Sequence, residues 1–164
     1  MSGKSAPGSS RLGDQGVALI EMAIALPFLL LVVAGIVDLG MLYWEKQIIT
    51  HATREGARAA AKAGASGAAD QTVSQVRQLV QDYLTKFNLK DANGNPLVLA
   101  SGTNFFYQWD ASSNPPKLWV ELKNIPLKPM LLPAIIPYYG SGWGGVINLD
   151  AKTTMAAEWS TPPS

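Results

Sequence analysis

A carboxylate stands inside the most apolar part of this chain. In QGVALIEMAIALPFLLLVVAGIVDLG, Gln15 to Gly40, Glu21 follows Gly16 by five positions, and no charged residue then occurs from Met22 to Val37. Two chemistries suit an acid so placed. It can neutralise a cation carried into a low-dielectric environment, where an unpaired ion is expensive. Alternatively it can rest at a membrane boundary with its oxygens in water. Other candidates for chemistry are few. His51 is the single histidine and there is no cysteine. Disulfides, thiolate sites and cysteine nucleophiles therefore drop out, and His51 with scattered carboxylates is a poor set of metal ligands. Asp91, Asn93 and Asn95 alternate like the start of a calcium loop, but Pro96 stands where glycine is required and Gly102 where glutamate is required. No Gly-x-Ser-x-Gly elbow, phosphate loop or dinucleotide fingerprint occurs. The expectation is a protein that is not an enzyme, with no metal and no cofactor.

The element that carries Glu21 reads as a long helix. Ten residues between Met22 and Val37 are Leu, Ile, Val or Phe, which favours membrane insertion by about 3–6 kcal/mol. An acid at the bilayer centre costs about 2.5–3.5 kcal/mol and less near the interface, so insertion tolerates Glu21 without requiring it. Val17 to Trp44 is long enough to cross a bilayer, for which about 20 residues suffice. Asp38 lies about 26 Å beyond Glu21 along a straight helix. The hydrocarbon core is about 30 Å thick, so Asp38 is expected as a snorkelling carboxylate at the far membrane boundary. Tyr43 and Trp44 suit the same interface. Pro27 removes a backbone hydrogen bond and either kinks the helix or is simply tolerated there. A cleaved secretory signal is disfavoured, because the apolar run is too long and VAGIVDLGMLYW is a poor cleavage region.

Beyond the membrane the helix is expected to continue to about Lys62. Arg54, Arg58 and Lys62 recur on one face, with Glu55 three residues before Arg58. Such a stripe reads first as a solvated face and second as a subunit contact. GASG, Gly64 to Gly67, ends the helix. An amphipathic helix follows over about 70–87, with Val73, Val76, Leu79, Val80, Tyr83, Leu84 and Phe87 on its apolar face. PLVLA, NFFYQWD and KLWVELKN read as strands, and VINLDAKTTMAAEW as one or two more. The proline-rich apolar loop at 125–145 either folds back on the sheet or forms a partner surface. The fold class is α+β: a long N-terminal transmembrane and stalk helix, a second amphipathic helix and a small antiparallel sheet. At 164 residues and a net charge of +1, the chain suits one modest domain plus an anchor, and nothing points to nucleic acid.

Gly16, five residues before Glu21 and the last residue of the short polar MSGKSAPGSSRLGDQG, resembles the processing site of type IV pilin-like proteins. In that family a prepilin peptidase cuts after the glycine, here between Gly16 and Val17, and the glutamate pairs with the new amino terminus during assembly. The resemblance extends through Pro27 and the acid-containing helix end to Ala52, Arg54, Glu55, Gly56, Ala57 and Arg58. Together these blocks resemble the TadE-like family, minor pilins (pseudopilins) of the tight-adherence, Flp-type pilus; TTMAAEW, Thr153 to Trp159, matches its C-terminal end more loosely. The loop from Ile125 to Gly145 departs from the pattern. The resemblance implies a leader at 1–16, a transmembrane helix at 17–44, its extension at 45–63 and a pilin-like head at 68–164. It further implies a single pass through a bacterial inner membrane with the amino terminus cytoplasmic and the head outside, possible passage to the cell surface, and a role in pilus assembly, adhesion, biofilm formation or secretion. The implied partners are the membrane, a prepilin peptidase, other pilin subunits and the assembly platform. The alternative is an uncleaved membrane-anchored scaffold or binding module.

Overall fold

A computed structural model describes residues 10–131 and 145–160, with side chains from Gly16 onward. The first helix, α1 (Ser10–Ala61), is continuous over 52 residues with Pro27 inside it, about 78 Å at 1.5 Å per residue. It takes in the last residues of the anticipated leader and stops one residue short of Lys62. A tight return follows. Gly67 adopts φ 73, its N–H donates to the Gly64 carbonyl at 3.0 Å, and the Asp70 N–H donates to the Lys62 carbonyl at 3.0 Å.

The second helix, α2 (Val73–Lys86), starts later than its apolar spacing suggests because Thr72 caps it. The Gln75 N–H donates to the Thr72 hydroxyl at 3.3 Å and the Thr72 N–H to the Gln75 side-chain oxygen at 2.8 Å, a reciprocal capping box. Val76, Val80 and Leu84 form its buried face. Phe87, expected on that face, is the C-cap; it is 37% exposed and its ring lies 5.0 Å from that of Tyr83.

Three strands, β1 (Phe105–Asp110), β2 (Lys117–Leu127) and β3 (Ile147–Ala156), form an antiparallel sheet in the order β1-β2-β3. Alternation buries Leu118, Val120 and Leu122 on one face of β2. The register shifts between Leu122 and Ile125, where Asn124 takes φ 53 and its N–H donates to the Asp150 carboxylate at 2.7 Å. The core is therefore a sandwich of sheet and α2 on the C-terminal third of α1, with Ile48, Ile49, Ala52, Ala57 and Ala60 facing inward.

The strand expected at PLVLA does not form. Leu97 and Leu99 are buried alternately, as the pattern implies, but among the described residues the segment pairs with no strand. The side-chain amide of Gln81 on α2 replaces the missing neighbour: its nitrogen donates to the Leu97 carbonyl and its oxygen accepts from the Leu99 N–H, both at 2.7 Å. Two backbone groups are thereby satisfied without a ladder.

Small residues on α1 set how closely α2 approaches. A methyl group on Gly56 would stand 2.5 Å from Val80 Cγ2, well inside contact distance. Gly56→Ala is therefore expected to destabilise the protein by about 1–3 kcal/mol, despite alanine's better helix propensity. Thermal unfolding of the chain in detergent checks this. Because the clash is with one side chain, Gly56→Ala and Val80→Ala together should cost less than the sum of the two alone.

Candidate assembly face on the long helix

Gly16, Val17 and Glu21 lie within α1, and Val17 and Glu21 are four residues apart, hence neighbours on one face. Among the described residues a methyl group on Gly16 would meet nothing within 4 Å beyond its own stretch of helix, and Val17 is 66% exposed. Glu21 is exposed and has no hydrogen-bond or ion-pair partner among the described residues. An amine created at Val17 would stand about one turn, roughly 6 Å along the axis, from that carboxylate. From Val17 through Val33 the apolar side chains are exposed on every side of the helix. α1 is long and apolar enough to cross a membrane, and only 6% of its apolar window is buried against the rest of the chain. A core helix of a water-soluble domain would be mostly covered, so this helix suits a single-pass membrane anchor.

The head begins to touch α1 at Ala34 and Asp38. Asp38 is 1% exposed; one carboxylate oxygen accepts from the Met130 N–H at 3.0 Å and the Leu131 N–H at 2.9 Å. The carboxylate expected to snorkel towards water is instead buried: two backbone donors more than ninety residues away in sequence take the place of water. The loop at 125–145 is described as far as Leu131 and from Gly145; its middle lies outside the described residues. The described part past Leu127 runs against α1 and not back over the sheet. Pro27, Leu30, Val33, Ala34 and Leu131 line an apolar cavity of about 340 Å³. Tyr43 and Trp44, 67% and 51% exposed, stand above this region.

Further along, the AxREGAR stretch divides between two faces. Ala52, Gly56 and Ala57 are buried, whereas Arg54, Glu55 and Arg58 are exposed together with His51 and Lys62. None of these exposed groups has an ion-pair partner among the described residues, where the one bridge joins Lys123 to Glu121 at 3.4 Å. Among the described residues an exposed face therefore runs from Val17 along α1 to Lys62 just past its end, with an acid near one end and a basic stripe at the other.

Elsewhere the polar groups serve the fold. The Asp91 carboxylate accepts from the N–H groups of Asn93 and Asn95 at 2.8 and 2.9 Å, closing its own turn. Among the described residues no cluster of three His, Cys, Asp or Glu side chains is placed to hold a metal. Burial raises the carboxyl of Glu45 above its usual value. Hydrogen bonds from the Ser112 hydroxyl and N–H lower that of Asp110. The hydroxyl of Tyr107 is buried without a partner among the described residues, and burial pushes its pKa up to about 12.

Since a free tyrosine titrates near pH 10, the fold favours the neutral phenol. Its contribution is complete below pH 10 and is lost as pH rises towards 12. Tyr107→Phe is expected to be at least as stable as the parent at pH 7 and to lose less stability between pH 9 and 11. Melting temperatures across that range check the difference.

Three contributors were not anticipated from the sequence: the Gly56 approach, the Gln81 clamp and the buried Trp159, whose indole N–H donates to the Ala60 carbonyl. Glycine inside an alanine-rich helix was the available signal for the first. The other two depend on partners distant in sequence.

Comparison with known proteins supports the family reading over this helix. Residues 16–58, from Gly16 to Arg58, match the family model described as TadE-like protein. No curated protein and no solved structure matches the chain.

Proposed function

Taking the TadE-like match of residues 16–58 as premise, we propose that the chain is a non-catalytic minor pilin (pseudopilin) of a Tad/Flp-type pilus. A prepilin peptidase removes the leader at Gly16–Val17. The remaining chain is held in the inner membrane, amino terminus cytoplasmic and head outside, until it joins other pilin subunits at the assembly platform. Its roles lie in pilus assembly and in the adhesion, biofilm formation or secretion that follow. The observation that carries this reading is the uncovered face from Val17 on α1 to Lys62 just past its end, with the described part of the head on the other side. A helix bare along one face has a surface available first to lipid and then to neighbouring helices. Arg54, Glu55 and Arg58 would meet those neighbours outside the membrane, and Pro27 gives the helix a place to bend on passing from lipid to filament.

One observation favours the uncleaved anchor instead: Gly16–Val17 lies inside a helix that already starts at Ser10. Glycine in a helix interior costs about 1 kcal/mol relative to alanine, so local unwinding there is inexpensive and access for a peptidase is not barred. The deciding experiment is mass spectrometry of the amino terminus from native membranes, with and without the peptidase. A chain beginning at Val17 only when the peptidase is present supports the pilin reading. An intact leader in both strains overturns it in favour of the anchored module.

A further inference from the structure

The described part of the head reaches α1 lowest at one short segment, Lys128–Leu131. Met130 is 69% exposed. Leu131 completes the wall of the cavity formed with Pro27, Leu30, Val33 and Ala34. Every residue of that wall is apolar.

The height of this contact is informative. Residues Leu30 to Ala34 precede Asp38 by eight to four positions, so they lie about 6–12 Å from it along the axis, towards the amino terminus. If the apolar run Val17–Val37 fills a hydrocarbon core about 30 Å thick, the half nearer the head is about 15 Å deep, and Leu131 falls within it. Raising the helix until Leu131 reached water would strip Ile36, Val37 and Leu39 of lipid, and these are 66%, 42% and 66% exposed.

Non-helical backbone is tolerated at membrane depth only where its polar groups are satisfied. Asp38 meets this condition for the two donors: its carboxylate takes the N–H groups of both Met130 and Leu131. That gives an acid at the end of an apolar helix a definite task, to make a loop compatible with lipid. Lys128 is exposed at the start of the segment, where its long side chain can lift the ammonium to head-group phosphates.

We propose that Lys128–Leu131 is a membrane-inserted wedge. Met130 and Leu131 lie among acyl chains of the head-side leaflet, and Asp38 fastens the segment to α1. The partner is phospholipid, and the inference rests on the reading of α1 as a membrane span.

The absence of cysteine makes single-site labelling of the full chain direct. Nitroxide labels at Met130→Cys, at Leu29→Cys within the span and at Ala111→Cys on the exposed β1–β2 turn would be compared in phosphatidylcholine–phosphatidylglycerol vesicles. Collisions with oxygen and with a water-soluble nickel chelate are the readout. The expected result is loss of nickel access at Met130 to near the Leu29 level, with oxygen access retained, while Ala111 stays open to nickel. Asp38→Ala should restore nickel access at Met130 but not at Leu29. Nickel access at Met130 equal to that at Ala111, with Leu29 shielded, would overturn the wedge alone. Low access to both reagents would mean a protein partner and would overturn it also. Nickel access at Leu29 itself would remove the span and the wedge together. No response to Asp38→Ala would overturn the fastening role.

Discussion

Glu21→Leu is expected to leave cleavage at Gly16–Val17 intact and to lower recovery of the subunit in sheared filaments by about a hundredfold or more. Removing one partner of a buried ion pair costs about 3–5 kcal/mol, because the other charge stays desolvated. At about 1.4 kcal/mol per tenfold, that exceeds two orders of magnitude. The charge left behind would be the new amine at Val17, which shares a helix face with Glu21. Insertion in the membrane should not suffer, since leucine suits hydrocarbon better than glutamate. Glu21→Gln separates charge from shape and is expected to fail nearly as badly. Immunoblots of filament and membrane fractions, with the amino terminus checked in both, provide the measurement. Normal filament yield from Glu21→Leu would remove the neutralising role and leave Glu21 as a carboxylate at a membrane boundary.

The second large effect concerns the other end of the chain. Trp159 is 2% exposed, and its ring centroid lies 5.8 Å from that of Trp109. Its indole N–H donates to the Ala60 carbonyl at 2.8 Å, and the neighbouring Glu158 N–H donates to the Ala61 carbonyl at 2.9 Å. The last carbonyls of a helix have no partner within the helix, so these two bonds close the carboxyl end of α1. Trp159→Ala removes a large buried side chain and is expected to cost about 3–5 kcal/mol. Trp159→Phe keeps most of the volume but orphans the Ala60 carbonyl, so a loss of about 1–3 kcal/mol is expected. Unfolding followed by circular dichroism in detergent orders the three proteins. Equal stability of parent and Trp159→Phe would show that the hydrogen bond contributes nothing net.

Which parts of this molecule could be read from residue order follows from the range of the forces involved. α1 was legible because an uninterrupted apolar run has few alternatives, and α2 because Val76, Val80 and Leu84 repeat at helical spacing. The alternation of Leu118, Val120 and Leu122 disclosed β2 in the same way. PLVLA carried an equally good strand signal, but Gln81 supplied its hydrogen bonds, and no local pattern announces a side chain acting as a strand. Asp38 was misread in its surroundings for a related reason. Its partners, Met130 and Leu131, are brought to it by the path of the whole head. Of the candidate assembly face, the placing of Glu21, Arg54, Glu55 and Arg58 on one long helix was readable from the sequence. That the intervening Ala52, Gly56 and Ala57 turn the other way, into the core, required the packed structure.

The closure of α1 by Trp159 also sets an order of events. The bonded residues Ala60 and Trp159 are 99 positions apart, and the strand before Trp159, β3, packs against the same helix. A chain made from its amino terminus therefore presents the alanine-rich inner face of α1 long before its covering exists. Contacts of such long range form slowly, and an incomplete core of this kind is prone to association. The head can reach its final form only after Trp159 has been synthesised. Until then α1 shows apolar surface on two sides, and a chain truncated before Trp159 would remain so.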